Sequence, residues 1–294
     1  MKPARFAYEA ATTLDGVLRS LAAAGDGGKV IAGGQSLAPM LNMRLARPAR
    51  LIDINGLTDL DGIRLDGDWL EIGALVRHDT LARSELVRRH CPLLAQAAET
   101  IGHYAIRKRG TIGGSLAHAD PAAQLPLVAL ALDAEMDIRA MRGSRSVAAA
   151  DFFLSIFSTA LEPDELLVKV RVPLPAEGEG WGFRLFNRRA GDFAIVAVAA
   201  TLACGSDGKI AHLRLAIGGI GSVPVRVEHL VPNAVGEAPT DQWRARTASA
   251  IAEAVEIEEN DRAPVMFRKE LVMALTRAAL DDAAGRAGFR GTAP

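Results

Sequence analysis

The spacing of apolar residues near the N-terminus predicts a helix followed by a buried strand. Thr13 precedes apolar residues at positions i, i+3, i+4 and i+7, namely Leu14, Val17, Leu18 and Leu21. This spacing is typical of a helix with one buried face, with Thr13 as its N-cap and Gly25 as its stop signal. The apolar stretch "KVIA", residues 29–32, then predicts a short buried strand that ends at two adjacent glycines.

Short helices and strands alternate irregularly as far as residue 175. The predicted elements are a helical turn opened by Pro39, a strand at 49–54, a hairpin around 66–68, a helix over about 79–101, a helix begun by Asp120 and Pro121, and strands at 135–141 and 168–172. In the last strand, valines alternate with Lys169 and Arg171, which predicts one buried and one wet face.

Prolines and glycines interrupt the pattern after residue 172, and we predict a domain boundary there. Beyond it, apolar alternation predicts three strands, at 181–189, 194–204 and 211–219. Helical spacing predicts two further helices, near 241–257 and 264–284. The chain therefore has the elements of two domains, 1–175 and 180–287.

Composition and charge narrow the kinds of ligand. The 294 residues are 49% hydrophobic, and 34 basic residues face 35 acidic ones. This balance argues against a generally basic nucleic-acid surface, so a small molecule or a protein is the expected ligand. The longest apolar run, 193–204, is too short to cross a bilayer, and the N-terminus has no apolar signal region. We expect a cytoplasmic protein.

The few cysteines and scattered histidines exclude several kinds of site. Cys91 and Cys204 are the only cysteines, which excludes a disulfide framework, a structural zinc and an iron-sulfur cluster held by this chain alone. The six histidines form no metal-binding spacing, and no GxSxG motif suggests a serine hydrolase. His118 is kept as a candidate because it lies three residues beyond Ser115. The basic run at 107–109 is interpreted as a solvated surface, and the alternative is that Arg109 helps to hold the adjacent loop near an anionic ligand.

Two glycine loops are the main chemical signal. Each has a Gly pair close to a Ser, in "AGGQS" at 32–36 and "TIGGS" at 111–115. Backbone N–H groups without side chains in their way can hold phosphate oxygens, and the two loops together could clamp a dinucleotide pyrophosphate. The alternative is two tight turns with packing glycines. Neither the GxGxxG nor the GxxxxGK[ST] motif is present.

These loops, together with "RRAGDFA" at 188–194 and "MFRKELVMALTRAAL" at 266–280, resemble the FAD-binding medium subunits of molybdenum hydroxylases, the family of carbon monoxide dehydrogenase and xanthine dehydrogenase. The resemblance implies an α+β fold. A vanillyl-alcohol-oxidase-like (PCMH-type) FAD-binding domain would occupy 1–175. A CO-dehydrogenase-flavoprotein-type domain, with a three-stranded antiparallel sheet and helices, would occupy 180–287.

The resemblance also implies which residues contact FAD, without a covalent bond, and it implies neither a catalytic side chain nor a metal ligand. The pyrophosphate would lie between the two loops, held by Ala32, Gly33, Gly34, Gln35, Ser36, Leu37, Thr111, Gly113, Gly114 and Ser115. His118 and Gln124 would lie where the second loop and the adenosine side meet the cofactor. Leu167, Arg184 and Phe193 would lie near the flavin ring.

Some positions depart from the family pattern. Relatives often have His at the position of Gln35, and some have an acidic residue at the position of Gln124. The four-cysteine insertion of one branch is missing. Phe193 against the ring would make NAD a poor electron acceptor, whereas the alternative for Phe193 is a core position at the start of its strand.

The function implied by the resemblance is electron transfer within a complex. A small subunit with two [2Fe-2S] clusters would deliver electrons, a large subunit would carry the molybdenum cofactor, and the FAD of this chain would pass the electrons to an external acceptor. The alternatives are a stand-alone FAD-dependent oxidoreductase of the same fold and a non-catalytic nucleotide-binding module. No nucleic acid or membrane segment is expected in any of them.

Overall fold

A small parallel sheet opens the computed structural model, which describes residues 2–289. Its elements are β1 (Ala7–Ala10), α1 (Leu14–Ala24), β2 (Gly28–Ile31), α2 (Leu37–Asn42) and β3 (Arg50–Asp53). The strand order is β1-β3-β2, and both pairs are parallel. As predicted, Thr13 caps α1 by accepting a hydrogen bond from the Gly16 N–H at 3.1 Å, and α1 ends at Gly25 with a φ of 50°. β2 stops directly before the first glycine loop.

A five-stranded antiparallel sheet forms the centre of the N-terminal half. The elements here are β4 (Ile63–Asp66), β5 (Trp69–Gly73), α3 (His78–Arg83), α4 (Glu85–His90), α5 (Pro92–Glu99), α6 (Tyr104–Arg109), α7 (Ile112–His118), α8 (Gln124–Ala131), β6 (Glu135–Ala140), β7 (Gly143–Ala148), α9 (Ala149–Phe152), β8 (Phe153–Ser155), β9 (Ser158–Thr159) and β10 (Leu166–Pro173). The strand order is β4-β5-β10-β6-β7, and β4 and β5 form the predicted hairpin.

The central strand β10 separates two apolar clusters. Leu166 and Val168 pack with α1 and β3, whereas Leu167 and Val170 pack with the helices on the other side. The predicted wet face of β10 is wrong in part, because its cations are only partly exposed. Lys169 pairs with Glu71 of β5 at 2.7 Å, and Arg171 pairs with Glu135 of β6.

The single helix predicted over 79–101 is wrong, because the structure divides this stretch into α3, α4 and α5. Ser84 has an extended backbone with ψ 125°, and its hydroxyl caps α4 by accepting from the Val87 N–H at 3.4 Å. Cys91 precedes Pro92 and has φ −150° and ψ 61°. Proline disfavours the helical conformation of the residue before it, so α4 ends before Cys91. The apolar spacing spans both breaks because each of the three helices buries apolar residues.

The predicted start of α8 at Asp120 and Pro121 is also wrong. The helix begins at Gln124, and Ala123 is its N-cap. Asp120 instead closes a local turn, in which its Oδ1 accepts from the Ala122 N–H at 2.9 Å. Aspartate favours such turns as readily as helix caps.

The C-terminal half is a four-stranded antiparallel sheet covered by two helices. Its elements are β11 (Gly180–Phe186), β12 (Val196–Cys204), β13 (Ile210–Gly218), β14 (Val225–Arg226), α10 (Asp241–Ala254) and α11 (Val265–Arg286). The expected three-stranded sheet is therefore corrected by the short edge strand β14. A Cβ on Gly182 would lie 2.0 Å from the Ala279 carbonyl oxygen, so glycine lets α11 pack directly on β11.

Helix α8 joins the two halves, and all its residues are buried. One side packs on the N-terminal helices and the other on β12 and β13. Leu127 packs against Gly218, since its Cβ lies 3.6 Å from a Cβ built on that glycine. The Gly219 N–H donates to the Pro121 carbonyl at 3.0 Å. Beyond the end of the helix, Asp133 pairs with Arg214 of β13 at 2.5 Å. The two halves therefore share a contact surface.

Candidate cofactor site

The two glycine loops lie against each other. A Cβ on Gly33 would be 2.2 Å from the carbonyl oxygen of Arg109, which directly precedes the second loop. Only glycine allows the two backbones to approach this closely. Gly33 is buried, so the contact is part of the fold. The structure thus brings together the two segments that the sequence analysis paired.

The first loop presents a row of free backbone N–H groups. Gly34 has a φ of 69°, a conformation that favours glycine. The carbonyl of Gly33 accepts from Gln35 Nε2 at 3.0 Å, and the carbonyl of Gly34 accepts from the Ala38 N–H at 3.0 Å. Among the described residues, none accepts a hydrogen bond from the N–H groups of residues 33–37. Consecutive free N–H groups in such a turn form an anion-binding concavity.

The second loop uses most of its N–H groups within the protein. Thr111 caps α7, since its Oγ1 accepts from the Gly114 N–H at 3.1 Å. The Ile112 and Gly113 N–H groups donate to the carbonyls of Val76 and Ala74, at 3.0 and 2.9 Å. Only the first loop therefore offers the run of donors that was expected of both.

The glycines of the second loop differ from Gly34 in their role. A Cβ on Gly113 would lie 2.6 Å from the Ala74 Cβ, so Gly113 is a packing glycine. A Cβ on Gly114 would lie 2.8 Å from Thr111 Oγ1, the capping oxygen. Neither has a positive φ. Close packing therefore requires glycine at Gly33, Gly113 and Gly114, and contact of these residues with FAD stays a prediction.

A buried histidine supports the second loop from behind. His78 Nε2 donates to the Thr111 carbonyl at 3.0 Å, and the His78 N–H donates to the Gly110 carbonyl at 3.0 Å. Burial lowers the pKa of His78 to about 4, so the ring is neutral at pH 7. Since a carbonyl only accepts, Nε2 carries the proton, and Nδ1 has no partner among the described residues.

Three residues that hold the loops were missed by the sequence analysis. Asn55 contacts the first loop, and Arg77 and His78 contact the second. Asn55 follows β3, whose C-terminal end lies beside that of β2 in the parallel sheet. That position is the one signal that could have indicated Asn55 from the sequence, because carboxyl ends of parallel strands share one edge.

The other predicted residues differ in how far they are buried. His118 is half-buried, its ring stacks on Phe157 with centroids 4.8 Å apart, and burial lowers its pKa. Gln124 is buried at the start of α8, and Leu167 is only 3% exposed within the core. Ser36 and Ser115 are partly exposed beside the loops.

Arg184 is not brought together with the loops. Its guanidinium donates to Asp282 of α11 at 2.8 Å, on the face of β11 that α11 covers. Strand alternation puts Phe183 and Leu185 on the opposite face, where both join the core of the N-terminal half. The expectation that Arg184 lies near the flavin ring stays a prediction.

Phe193 does not lie in the core. It precedes β12 and is 53% exposed, which overturns the alternative interpretation of this residue. Its loop contacts the segment before α6, since a Cβ on Gly191 would lie 3.1 Å from the Gly102 carbonyl oxygen. α6 leads directly into the second glycine loop.

Cys91, the acidic and histidine side chains and the cavity of the described residues offer no second candidate site. Burial raises the pKa of Cys91 to about 12, as expected for a packed thiol. Over residues 2–289, no cluster of His, Cys, Asp or Glu could hold a metal, and no helix has the length and apolar character to cross a membrane. A cavity of about 470 Å³ lies between the two halves near Leu93, Leu132 and Trp181, away from both loops.

Comparison with known proteins gives the family. Residues 4–175 match the FAD binding domain in molybdopterin dehydrogenase, and residues 181–283 match the CO dehydrogenase flavoprotein C-terminal domain. The 6-hydroxypseudooxynicotine dehydrogenase complex subunit alpha of Paenarthrobacter nicotinovorans is 38% identical over 98% of this chain and 97% of that protein. The carbon monoxide dehydrogenase medium chain of Hydrogenophaga pseudoflava is 34% identical over 97% and 99%.

A solved structure agrees over the same span. Carbon monoxide dehydrogenase from Hydrogenophaga pseudoflava, in a form lacking the Mo-pyranopterin moiety of the cofactor, superposes with a TM-score of 0.93 at 34% identity. The match covers 97% of this chain and 99% of that one, which confirms the predicted α+β fold with its FAD-binding domain. The chain therefore belongs to the FAD-binding medium subunits of the molybdenum hydroxylases, and is an oxidoreductase subunit.

Proposed function

We propose that this chain carries one non-covalently bound FAD that receives electrons from a small [2Fe-2S] subunit and delivers them to an external acceptor. A large partner subunit with the molybdenum cofactor would oxidise the organic substrate. The printed names of the relatives, a complex subunit alpha and a medium chain, support assembly with other subunits. We also propose a cytoplasmic location, which the two free cysteines support.

The observation that carries the proposal is the row of N–H groups at residues 33–37. These donors have no acceptor among the described residues, although the carbonyls of Gly33 and Gly34 are both engaged. Buried or clustered backbone donors need acceptors, and phosphate oxygens supply several at once. No lysine is needed for this, which agrees with the nearly neutral chain. The chemistry of the donors fits the pyrophosphate of FAD.

The residues proposed to hold the pyrophosphate are those of the two loops. Ala32 to Leu37 would supply N–H donors, and Ser36 and Ser115 would add hydroxyl groups. Thr111, Gly113 and Gly114 would shape the facing wall. The predicted contacts with the rest of the cofactor remain His118, Gln124, Leu167, Arg184 and Phe193. Arg184 also pairs with Asp282 at 2.8 Å.

The protein itself contributes binding and orientation. FAD supplies the redox chemistry when bound, since it accepts and releases electrons. His78 lies behind Thr111 and is held neutral by burial, so it is not a general acid at pH 7 and only donates a hydrogen bond to the Thr111 carbonyl. The second loop is fixed to β10 through Ala74, whose carbonyl accepts from the Gly113 N–H and whose N–H donates to the Val168 carbonyl at 3.0 Å. The chain thus positions a cofactor on a rigid sheet.

Gly34→Val tests the proposal. A branched side chain opposes the φ of 69° and would meet Ile31 Cδ1, which lies 3.2 Å from a Cβ at this position. We expect the purified chain to be yellow, to release its flavin on acid precipitation, and to lose the flavin in Gly34→Val. Gly62→Val is the control, since Gly62 has open space and no positive φ.

The alternatives give other results. Full flavin content in Gly34→Val would return the first loop to a structural role. Flavin that stays with the acid pellet would mean a covalent bond, and a colourless chain that binds no added FAD would indicate a nucleotide-binding module. Rapid flavin bleaching by organic substrates with the chain alone would favour the stand-alone oxidoreductase.

A further inference from the structure

A side-chain bridge connects the backbones of the two loops. Asn55 Nδ2 donates to the carbonyl of Ala32, in the first loop, at 2.8 Å. Asn55 Oδ1 accepts from Arg77 Nη2 at 2.8 Å, and Arg77 Nη1 donates to the carbonyl of Arg109, before the second loop. The bridge therefore runs from one loop to the other through an amide and a guanidinium.

The orientation of the Asn55 amide is fixed by its neighbours. The Asn55 N–H and Nδ2 both donate to Asp53 Oδ1, at 2.9 and 2.6 Å, and Tyr8 donates its hydroxyl to Asp53 Oδ2 at 2.8 Å. Burial alone would raise the pKa of Asp53, but these hydrogen bonds and the charge of Arg109 lower it. An ionised Asp53 accepts only, so Nδ2 faces it and Oδ1 faces Arg77.

The hydrogen bond from Asn55 to the Ala32 carbonyl also sets the direction of the Gly33 N–H. In a trans peptide the C=O and the following N–H point in opposite directions. With the Ala32 oxygen held by Asn55, the Gly33 N–H points to the other side of the loop. That N–H is the first of the row without a partner among the described residues.

Arg77 belongs to the frame of the second loop. Its backbone forms an isolated antiparallel bridge with Thr111, so its side chain reaches back from a segment already paired with that loop. The guanidinium is partly buried, and burial lowers its pKa, although arginine keeps its charge. Its planar fork suits two acceptors at once, which a lysine ammonium does not match.

We propose that Asn55 and Arg77 are positioning residues that set the separation of the two loops and the direction of the Gly33 N–H, and so the affinity for the pyrophosphate of FAD. This inference rests on the proposed function of the loops. Neither residue needs to contact the cofactor. Because Asn55 is exposed and adds little apolar packing, its removal should leave the fold stable.

The test uses the full chain freed of flavin, titrated with FAD and, separately, with ADP. The variants are Asn55→Ala and Arg77→Lys, singly and together, since lysine keeps the charge but not the fork. We expect each single variant to bind FAD about tenfold more weakly or worse. ADP contains the pyrophosphate without the flavin, so its affinity should fall by the same factor.

The double variant and two controls complete the experiment. Since both residues belong to one bridge, the double variant should lose little more affinity than either single one. Asn233→Ala and Arg64→Lys are matched controls. Asn233 is exposed, and Arg64 of β4 pairs with Glu71 of β5 at 2.6 Å. Both should bind FAD and ADP like the unmodified chain.

Several results would overturn the inference. Unchanged FAD and ADP affinities in both single variants would show that the bridge does not position the loops. Losses that multiply in the double variant would mean that the residues act separately, and a large fall in the unfolding temperature of the flavin-free variants would mean a general structural role. If the unmodified chain binds neither ligand, the proposed function fails instead.

Discussion

At the scale of single residues, His78 couples the second loop to pH. Its pKa of about 4 in the folded chain lies below the ordinary value of 6.5 because of burial. The unfolded chain therefore takes up a proton first as the pH falls. The stability contributed by neutral His78 is complete above pH 6.5 and is lost progressively towards pH 4.

We expect His78→Gln to flatten this dependence. The unmodified chain should lose up to about 3 kcal/mol of unfolding free energy through His78 between pH 6.5 and 4. Glutamine retains an N–H donor for the Thr111 carbonyl and does not titrate. Urea unfolding across this pH range measures the difference, with the exposed His229→Gln as control. Equal slopes in the unmodified chain and His78→Gln would exclude His78 as the source.

Phe193 is the second residue whose role is open to test. Its 53% exposure leaves the ring free to cover the flavin, where a stacked aromatic group would exclude a nicotinamide ring. We expect the assembled enzyme to reduce dyes or quinones well and NAD poorly, and Phe193→Ala to raise the rate with NAD. Efficient NAD reduction by the unmodified enzyme would contradict this, as would an unchanged acceptor preference in the variant.

Sequence reasoning located the loops but not the reason for each glycine. The Gly-Gly pairs and their distance along the chain were visible, whereas the atom that excludes a Cβ at Gly33 belongs to Arg109, far away in sequence. The same holds for Asn55 and Arg77, whose partners are backbone carbonyls brought near by folding. The ion pair of Arg184 with Asp282 was not visible either, because the two residues lie far apart in the sequence.

At the scale of secondary structure, two threonine caps offer a matched comparison. Thr13 caps α1 and Thr111 caps α7, each by accepting from the N–H three residues on, at 3.1 Å. We expect Thr13→Val and Thr111→Val each to cost about 1 kcal/mol of stability. Only Thr111→Val should also weaken FAD binding, because α7 begins in the second loop. Equal FAD affinity in the two variants would show that the Thr111 cap does not contribute to FAD binding.

The elements that were predicted well are those with a local cause. The spacing in α1 and the two long C-terminal helices agrees with the structure, and the glycine at 67 has the positive φ that the hairpin requires. The elements predicted badly depend on distant packing. α3, α4 and α5 were merged because all three bury residues at helical spacing, and β14 is too short to have a pattern.

At the scale of the whole molecule, the proposed electron route predicts that reduction of the flavin depends on the partner subunits. The purified chain should keep its flavin oxidised when mixed anaerobically with organic substrates. Addition of the iron-sulfur and molybdenum subunits with a substrate of the large subunit should bleach the flavin absorbance. Omission of the iron-sulfur subunit is the control, since the route then lacks its middle step. Bleaching that does not need this subunit would contradict the proposed order.

The complete burial of α8 limits how this chain could be recombined with its relatives. A helix without a solvent-facing side cannot end a free-standing unit, because Leu127 and its neighbours would become an exposed apolar surface. A chimera that took residues 180–287 from another family member would have to bring residues that pack against Leu127 and cations opposite Asp133. An exchange of a single loop, such as 188–194, therefore leaves this buried contact intact, whereas an exchange of whole halves does not.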